Sequence, residues 1–281
     1  MSAHKVIITA AISGAEVTQE MNPAVPYTID QYVRESKLAR EAGAAIIHLH
    51  ARYDDGTPTQ DRERFRAIID AIQAACPDVI IQPSTGGATG MTAEERLQLT
   101  ELNPEMASLD CGTMNFGGDD IFVNTENMII AFAARMNERG IKPELECFDK
   151  SHIDMALRLV RKGHIHPPLH FNFVLGVNGG AAGTPRDLLF LKESIPEGAT
   201  FTATGIGRCQ LEMNVMGMLL GGHVRVGFED NLKYNRERNA ISNAEFVERI
   251  VRIAKELNLE IATPAEARKI LGMPERVNQS K

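Results

Sequence analysis

Two histidines separated by one residue close an apolar run, in the order Ile46-Ile47-His48-Leu49-His50. If this run is a β-strand, residues two apart point to the same face, so both imidazoles project together. Imidazole nitrogens bind divalent metals, most often zinc in sites of this kind. We therefore predict a metal site at His48 and His50, and we favour it over a pair of hydrogen-bonded core histidines.

A second apolar run ends in Glu229-Asp230-Asn231 and supplies the best third ligand. Catalytic zinc takes three protein ligands and keeps one open position, so His48, His50 and Glu229 would form a two-histidine, one-carboxylate site. A helix cap or a salt bridge is the alternative role for Glu229. Asp230 points the other way in an ideal strand, but strand ends bend and it can still reach the site. Arg225 in the same run is a natural partner for one of these carboxylates.

Three Gly- or hydroxyl-rich loops could bind anionic or carbonyl oxygens, because glycines let backbone N–H groups turn toward a ligand. A plain tight turn explains a lone Gly-x-Gly equally well. The candidate residues are Ser84, Thr85, Gly86 and Gly87 in the first loop, Asn115 in the second, and Gly205, Gly207 and Arg208 in the third.

Three further carboxylates could face a site. Glu16 lies in a Gly-containing loop, and Glu144 and Glu146 alternate on one apolar run, so they share a face. A carboxylate inside a protein is costly unless it is paired or bound to a metal. Glu146 is nearer the end of its run, so we prefer it to Glu144 as a site residue.

Apolar, β-branched runs alternate with helical stretches along the whole chain. Strands are predicted at 5–12, 44–50, 78–82, 106–110, 142–148, 169–175, 200–204 and 223–228. Helices are predicted at 28–43, 61–75, 92–102, 124–140, 151–162, 184–194, 209–220 and 243–257, with a short capped helix at 263–271. Thr28 with Gln31 is predicted to form a capping box, and Thr92 with Glu95 is predicted to cap the third helix. Eight such units predict a single (β/α)₈ TIM barrel over 1–281; a doubly wound open sheet is the alternative, since counting units cannot show closure.

The barrel separates functional from structural residues, because sites lie at the carboxyl ends of the strands. His48, His50, Glu229 and the three loops fall there. A second His-x-His, at His164 and His166, precedes a strand and therefore belongs to the opposite end, where we expect an exposed structural pair.

Composition narrows the partners. The 281 residues include 30 Lys+Arg and 37 Asp+Glu, a net charge of −7, which argues against nucleic acid or an anionic membrane as a partner. Neither a transmembrane run nor a signal peptide is expected. Four widely spaced cysteines form no disulfide framework, so reduced thiols in the cytoplasm are expected.

The motifs together resemble those of the β-keto acid cleavage enzymes, in the order typical of that family and over nearly the whole chain. The stretches that carry the resemblance are ITAA and GAE (8–11 and 14–16), HLHAR (48–52), DGTPTQD (55–61), QPSTGG (82–87), SLDCGTMNF (108–116), ELECFD (144–149), GIGR (205–208) and VRVGFEDN (224–231).

The resemblance implies a zinc-dependent barrel that converts a β-keto acid and acetyl-CoA into acetoacetate and a new acyl-CoA. It places the Zn²⁺ ligands on His48, His50 and Glu229. Its catalytic aspartate falls on Asp230 and the associated arginine on Arg225. Further family positions fall on Ser84, on a glutamate of strand five, and on Glu16, which would meet a substrate ammonium group. Gly205, Gly207 and Arg208 are the candidate CoA-binding residues, because their loop follows strand seven, where barrels often bind phosphate.

Other functions are alternatives to this activity. A metal-dependent aldolase or lyase without CoA would use the same ligands, whereas an amidohydrolase-type hydrolase would carry its His-x-His on the first strand. A non-catalytic barrel would not gather ligand-type groups at several strand ends. Because Met213, Met216 and Met218 are expected to be exposed on an outer helix, and because the family tends toward homotetramers, we also expect a homo-oligomer, with four subunits.

Overall fold

Eight parallel β-strands form the centre of the molecule in the computed structural model, which describes residues 5–273. Positions 1–4 and 274–281 of the expected domain lie outside the described residues. The strands are β1 (Ile8–Ser13), β2 (Ile46–Leu49), β3 (Ile80–Pro83), β4 (Met106–Asp110), β5 (Lys142–Cys147), β6 (His170–Leu175), β7 (Thr200–Gly205) and β8 (His223–Val226).

The strands follow one another around a barrel that is nearly closed. Backbone ladders run in the order β3-β2-β1-β8-β7-β6-β5-β4, all parallel. At the seam between β3 and β4, the Thr85 backbone N–H donates to the Ser108 hydroxyl at 3.0 Å, and the Thr85 hydroxyl donates to the Ser108 carbonyl at 2.7 Å. The predicted (β/α)₈ barrel is confirmed, and the open doubly wound sheet is excluded.

Helices connect the strands and cover the outside of the barrel. They are α1 (Ile29–Ala42), α2 (Arg62–Ala75), α3 (Ala93–Leu97), α4 (Glu126–Glu138), α5 (Lys150–Arg161), α6 (Pro185–Glu193), α7 (Gln210–Leu219), α8 (Asn243–Glu256) and α9 (Pro264–Ile270). Thr28 and Gln31 form the predicted capping box of α1, and Gly43 ends that helix with a φ of +125°. Thr92 and Glu95 do the same at the start of α3, after which the chain tightens into a 3₁₀ turn at Gln98–Leu102.

The main apolar core lies between the strands and the helices, because each barrel strand is buried on both faces. The expected exposure of the α7 methionines is wrong for two of the three. Met213 and Met218 are buried, and Met216 packs partly against the core. Helix α7 lies against β7 and β8 with α6 and α8 at its sides, so these methionines face packed neighbours.

Short additional strands frame the barrel and, apart from Lys5–Val6, which the predicted strand 5–12 includes, they were not predicted. Ala51–Arg52 pairs antiparallel with Pro58–Thr59 after β2, and Met114–Phe116 pairs with Asp120–Phe122 after β4. At the opposite end, Lys5–Val6 pairs with Glu260–Ile261. Each pair is two or three residues long, too short for a periodic pattern in the sequence.

Among residues 5–273, no helix has the length and apolar content needed to cross a bilayer. The cysteines Cys76, Cys111, Cys147 and Cys209 are buried free thiols, as expected. His166 is exposed and His164 is half-buried, and both precede β6 at the amino end of the barrel, as the sequence predicts.

Candidate active site

His48, His50 and Glu229 meet at the carboxyl end of the barrel. One ligating atom from each lies within 4.8 Å of the others. His48 Nε2 is 3.4 Å from Glu229 Oε2, and His50 Nε2 is 3.6 Å from Glu229 Oε1. His48 lies on β2 and His50 directly follows that strand, so the two-residue spacing turns both imidazoles to one face.

The three side chains fit a metal ion. His48 Nε2 and Glu229 Oε2 are buried, and neither makes a hydrogen bond within the described part of the chain. A buried polar atom without a partner is costly, and a cation between these atoms would remove that cost. His48 Nδ1 lies 2.9 Å from Gln82 Oε1, which sets the ring orientation and leaves Nε2 toward the cluster. Two imidazoles and one carboxylate form a typical zinc donor set with room for a further ligand.

A turn after β8 brings both Glu229 and Asp230 into the site. Gly227 has a φ of +139°, and a Cβ there would lie 2.2 Å from the Ala11 carbonyl oxygen, so the position requires glycine. The Asp230 and Asn231 backbone N–H groups donate back to the Gly227 carbonyl at 3.2 and 3.0 Å. Because the chain turns here, the two adjacent carboxylates no longer point to opposite faces.

Arg225 links the carboxylates of the site. Its Nε donates to Asp230 Oδ2 at 3.0 Å and its Nη2 to Asp230 Oδ1 at 2.9 Å, a bidentate pair. Nη2 also donates to Glu229 Oε1, and Nη1 reaches across the barrel to Glu146 Oε1 at 3.0 Å. Arg225 is only 3% exposed, so it holds this arrangement away from solvent.

The environment shifts the pKa of each acid in this network. Burial raises the pKa of Asp230 to about 6, against the opposing Arg225 guanidinium. Burial and the neighbouring Asp110 carboxylate hold the pKa of Glu146 well above its usual range. Burial by itself would raise the pKa of Glu229 as well. Arg225 and the two histidines outweigh burial and hold the pKa of Glu229 well below its usual range.

The structure distinguishes the two glutamates of β5. Glu146 lies on the wall of the site and accepts hydrogen bonds from Arg225 and from Asn172 Nδ2, the latter at 3.1 Å. Glu144 lies deeper, is fully buried and sits 3.4 Å from His170 Nε2. Burial raises the pKa of Glu144, but His170 outweighs it, so the net shift is downward.

A cavity of about 610 Å³ opens above this cluster, within the size range of ligand sites. Its polar lining includes His50, Glu229, Arg225, Asp230 and Glu146. Its apolar lining comes from one packed cluster, formed by Phe116, Phe122, Phe148, Val174, Val177 and Ile206. A larger cavity of about 890 Å³ lies at the opposite end of the barrel, and none of His48, His50 and Glu229 lines it.

The predicted loop residues take different places around the cavity. Glu16, Ser84, Gly86 and Gly87 line it, and Glu16 is exposed at its mouth. Thr85 is fully buried and uses its hydroxyl to close the seam with Ser108.

The other loops contribute through their neighbours. Asn115 is exposed next to Phe116, while Gly205 and Gly207 flank Ile206, and Phe116 and Ile206 line the cavity. Arg208 is exposed. Substrate or CoA contacts by Thr85, Asn115, Gly205, Gly207 and Arg208 stay predictions.

The sequence interpretation missed three residues at the site. Asp110 ends β4 and lines the cavity, Arg96 is buried behind it, and Gln82 orients His48. Asp110 and Gln82 could have been found, because both sit at the carboxyl end of a barrel strand. Arg96 could not, because an arginine on a short helix is ordinarily exposed.

The chain is similar to known proteins over nearly its whole length. The β-keto acid cleavage enzyme family model matches residues 5–273. A "3-keto-5-aminohexanoate cleavage enzyme" of Acetoanaerobium sticklandii is 64% identical over 269 residues, covering 96% of this chain and 98% of that protein. A "3-oxoadipate:acetyl-CoA acetyltransferase" of Cupriavidus necator is 39% identical over 272 residues, covering 95% of each.

A solved structure shares the fold of this chain. The solved structure described as "Apo structure of ObcA" has a TM-score of 0.78 at 20% identity, over 89% of this chain and 66% of that one, which supports the fold alone. With a family model that spans the whole described chain and a relative that shares 64% of its residues, the chain belongs to the β-keto acid cleavage enzyme family.

Proposed function

We propose that this chain transfers the acyl group of a β-keto acid to CoA, using acetyl-CoA and releasing acetoacetate. The observation that carries the proposal is the cluster of His48, His50 and Glu229, which opens into a cavity beside an Arg225-bound Asp230. The names of the relatives support the β-keto acid and the acetyl-CoA. A β-keto acid with a cationic amine, of the 3-keto-5-aminohexanoate kind, is the proposed substrate.

His48, His50 and Glu229 would hold a Zn²⁺ ion. When bound, the ion supplies Lewis-acid polarisation of the keto and carboxylate oxygens, which makes the CH₂ group between the two carbonyls more acidic. Gln82 contacts Nδ1 of His48 and so keeps Nε2 of the same ring turned toward the position of the ion. The open side of the cluster faces the cavity, where the substrate enters.

Asp230 would act as the base. One of its carboxylate oxygens takes a proton from the CH₂ group, and the Arg225 fork keeps the carboxylate oriented. The carbanion forms a C–C bond to the thioester carbonyl of acetyl-CoA, and the C–S bond breaks.

CoA thiolate then adds to the original keto carbon, and the bond between that carbon and the former CH₂ carbon breaks. The departing enolate of acetoacetate takes the proton back from Asp230. Atoms and charge balance without a redox cofactor.

Glu16 would select the substrate by charge. It is exposed at the cavity mouth, in the loop after β1, and Gly14 of the same loop packs against Glu229, since a Cβ on Gly14 would lie 2.8 Å from Glu229 Cγ. Because Glu16 lines the same cavity as His50 and Glu229, its carboxylate would attract a cationic tail of the substrate and repel a second carboxylate. Ser84 and the N–H groups around Gly86 and Gly87 would bind substrate oxygens.

The decisive experiment is a panel of amino, neutral and dicarboxylic β-keto acids, each assayed with acetyl-CoA for acetoacetate release by the zinc-loaded protein. Acetoacetate and the matching acyl-CoA should form together, fastest with the amino substrate. Cleavage that proceeds without acetyl-CoA would instead establish a metal-dependent lyase. No release from any member of the panel would refute the proposal.

Four further properties belong to the same proposal. A protein with this activity would act in lysine degradation, in the cytoplasm. A homotetramer is the proposed assembly, with small-molecule substrates and neither nucleic acid nor membrane as partner.

A further inference from the structure

Arg96, on the short helix α3, is one of the most buried charged side chains near the cavity, at 2% exposure, and the proposed mechanism does not use it. Every nitrogen of its guanidinium is bound. Nε donates to the Thr85 carbonyl at 2.7 Å and Nη1 to the Val123 carbonyl at 3.0 Å. Nη2 donates to Asn124 Oδ1 at 2.6 Å and, more weakly, to Asp110 Oδ2 at 3.4 Å.

These partners belong to three separate parts of the cavity wall. Thr85 is in the loop whose neighbours Ser84, Gly86 and Gly87 line the cavity, and Asp110 lines it from the end of β4. Val123 directly follows the strand Asp120–Phe122, whose Phe122 also lines it. One side chain thus connects the loop after β3, the end of β4 and the hairpin formed by Met114–Phe116 and Asp120–Phe122.

Close packing adds to these hydrogen bonds. The Arg96 guanidinium carbon lies 4.9 Å from the centre of the Phe122 ring and 5.4 Å from that of Phe132. A Cβ on Gly87 would lie 3.4 Å from Arg96 Cγ, so the loop passes close beside this side chain. Arg96 therefore cannot shift without moving the loop or the hairpin.

Burying a charged guanidinium such as that of Arg96 costs folding free energy. A buried guanidinium loses its hydration, and most of its partners here are neutral oxygens, with Asp110 as the anionic one. Burial accordingly lowers the pKa of Arg96, while Asp110 opposes that shift. A planar fork can bind three backbone and side-chain oxygens at fixed angles, which a lysine ammonium cannot reproduce.

We propose that Arg96 is a positioning residue that holds the Ser84–Gly87 loop and the Phe122 edge of the hairpin in place, so that the loop's donors meet the substrate. The consequence for turnover rests on the proposed function. Because these donors would contact the substrate before and during the reaction alike, loosening them should raise KM more than it lowers kcat.

The chain offers a matched control in Arg268. It is also a buried arginine, and it donates to the Asp78 carbonyl at 3.0 Å and to both oxygens of Glu105, at 2.6 and 2.8 Å. Asp78 and Glu105 precede β3 and β4, so Arg268 connects the opposite ends of the same two strands. A substitution at Arg268 measures the cost of losing such an arginine without touching the cavity.

The experiment compares Arg96→Lys with Arg268→Lys. In Arg96→Lys, KM for the β-keto acid should rise roughly tenfold, the loss of about one charge-assisted hydrogen bond, while kcat stays within about threefold. Amide hydrogen exchange at 84–91 and 112–124 should also accelerate. The melting temperature should fall by a similar amount in the two variants. In Arg268→Lys, however, KM and hydrogen exchange at these segments should stay unchanged.

Two outcomes would overturn the proposal: unchanged exchange at 84–91 and 112–124 in Arg96→Lys, or equal KM changes in both variants. If Arg96→Lys does not fold, Asn124→Ala removes one of its partners and should show the same KM and exchange changes at smaller size. If the parent releases no acetoacetate at all, the proposed function fails, and hydrogen exchange alone still decides the role of Arg96.

Discussion

Replacing Arg225 by lysine isolates what the guanidinium contributes beyond its charge. The side chain makes four charge-assisted hydrogen bonds from three nitrogens, two to Asp230, one to Glu146 and one to Glu229. A lysine keeps the positive charge but offers three N–H bonds from a single atom. At least one carboxylate oxygen therefore loses its donor, most directly one of the two Asp230 oxygens.

The structure sets the size of the effect. A hydrogen bond to a charged group contributes about 1.5–3 kcal/mol, and the partners are buried, so water does not replace it freely. If that loss falls on the orientation of Asp230 in the transition state, kcat/KM should drop by roughly ten- to a hundredfold, at about 1.4 kcal/mol per decade. The drop should appear mainly in kcat, because the base and not the substrate contact is disturbed.

The assay follows acetoacetate release at saturating acetyl-CoA, together with the zinc content and melting temperature of each protein. Arg268→Lys serves as the control for the stability cost of an arginine-to-lysine change. Zinc content should stay at one per chain in Arg225→Lys. A variant whose kcat lies within threefold of the parent would refute the reasoning and leave Arg225 a structural ion pair.

The remaining predictions address the other groups. His48→Ala should lose zinc and activity together, measured by metal analysis; full zinc occupancy would show that His48 is not a ligand. Asp230→Asn should keep zinc and fold but lose most turnover, because an amide cannot take the proton, and near-normal kcat would exclude Asp230 as the base. Glu16→Gln should reduce the preference for the amino over the dicarboxylic substrate by up to about two decades in kcat/KM, and an unchanged ratio would contradict the charge role. Burial lowers the pKa of Lys142 to about 8, so between pH 8 and about 10.4 the unfolded chain binds more protons and stability rises with pH. Lys142→Met should lose that rise in thermal melts at pH 7.5, 9 and 10, and an equal rise in both proteins would assign it to other groups.

Much of the barrel could be predicted from the order of residues alone. The strand at 106–110 and the starts of β5 and β7 coincide with the predicted ones, and the capping boxes at Thr28 and Thr92 lie where the sequence places them. These features depend on local backbone preferences and on burial of both strand faces. Both are visible in the types of neighbouring residues, as capping pairs and as continuous apolar runs. The convergence of His48 and His50 likewise follows from the two-residue repeat of one strand.

Contacts between distant segments required the tertiary structure. Arg225 and Glu146 are 79 positions apart, and nothing near either residue shows that the side chains meet across the barrel. The turn at Gly227 brings Asp230 to the same side as Glu229, against the alternation of an ideal strand. Burial of Met213 and Met218, and of Arg96 behind the cavity wall, depends on which elements pack alongside.

The sequence by itself predicted the number of βα units, the candidate metal-ligand residues and the end of the barrel on which they gather. Tertiary structure alone decided how the carboxylates share Arg225 and which oxygens Arg96 binds behind the cavity wall, and it agrees with the preference for Glu146 over Glu144 at the cavity. The physical reason is range: strand periodicity and helix capping act between residues a few positions apart. The direction of a side chain at a strand end, and the partner it finds there, depend on how all eight strands close around it.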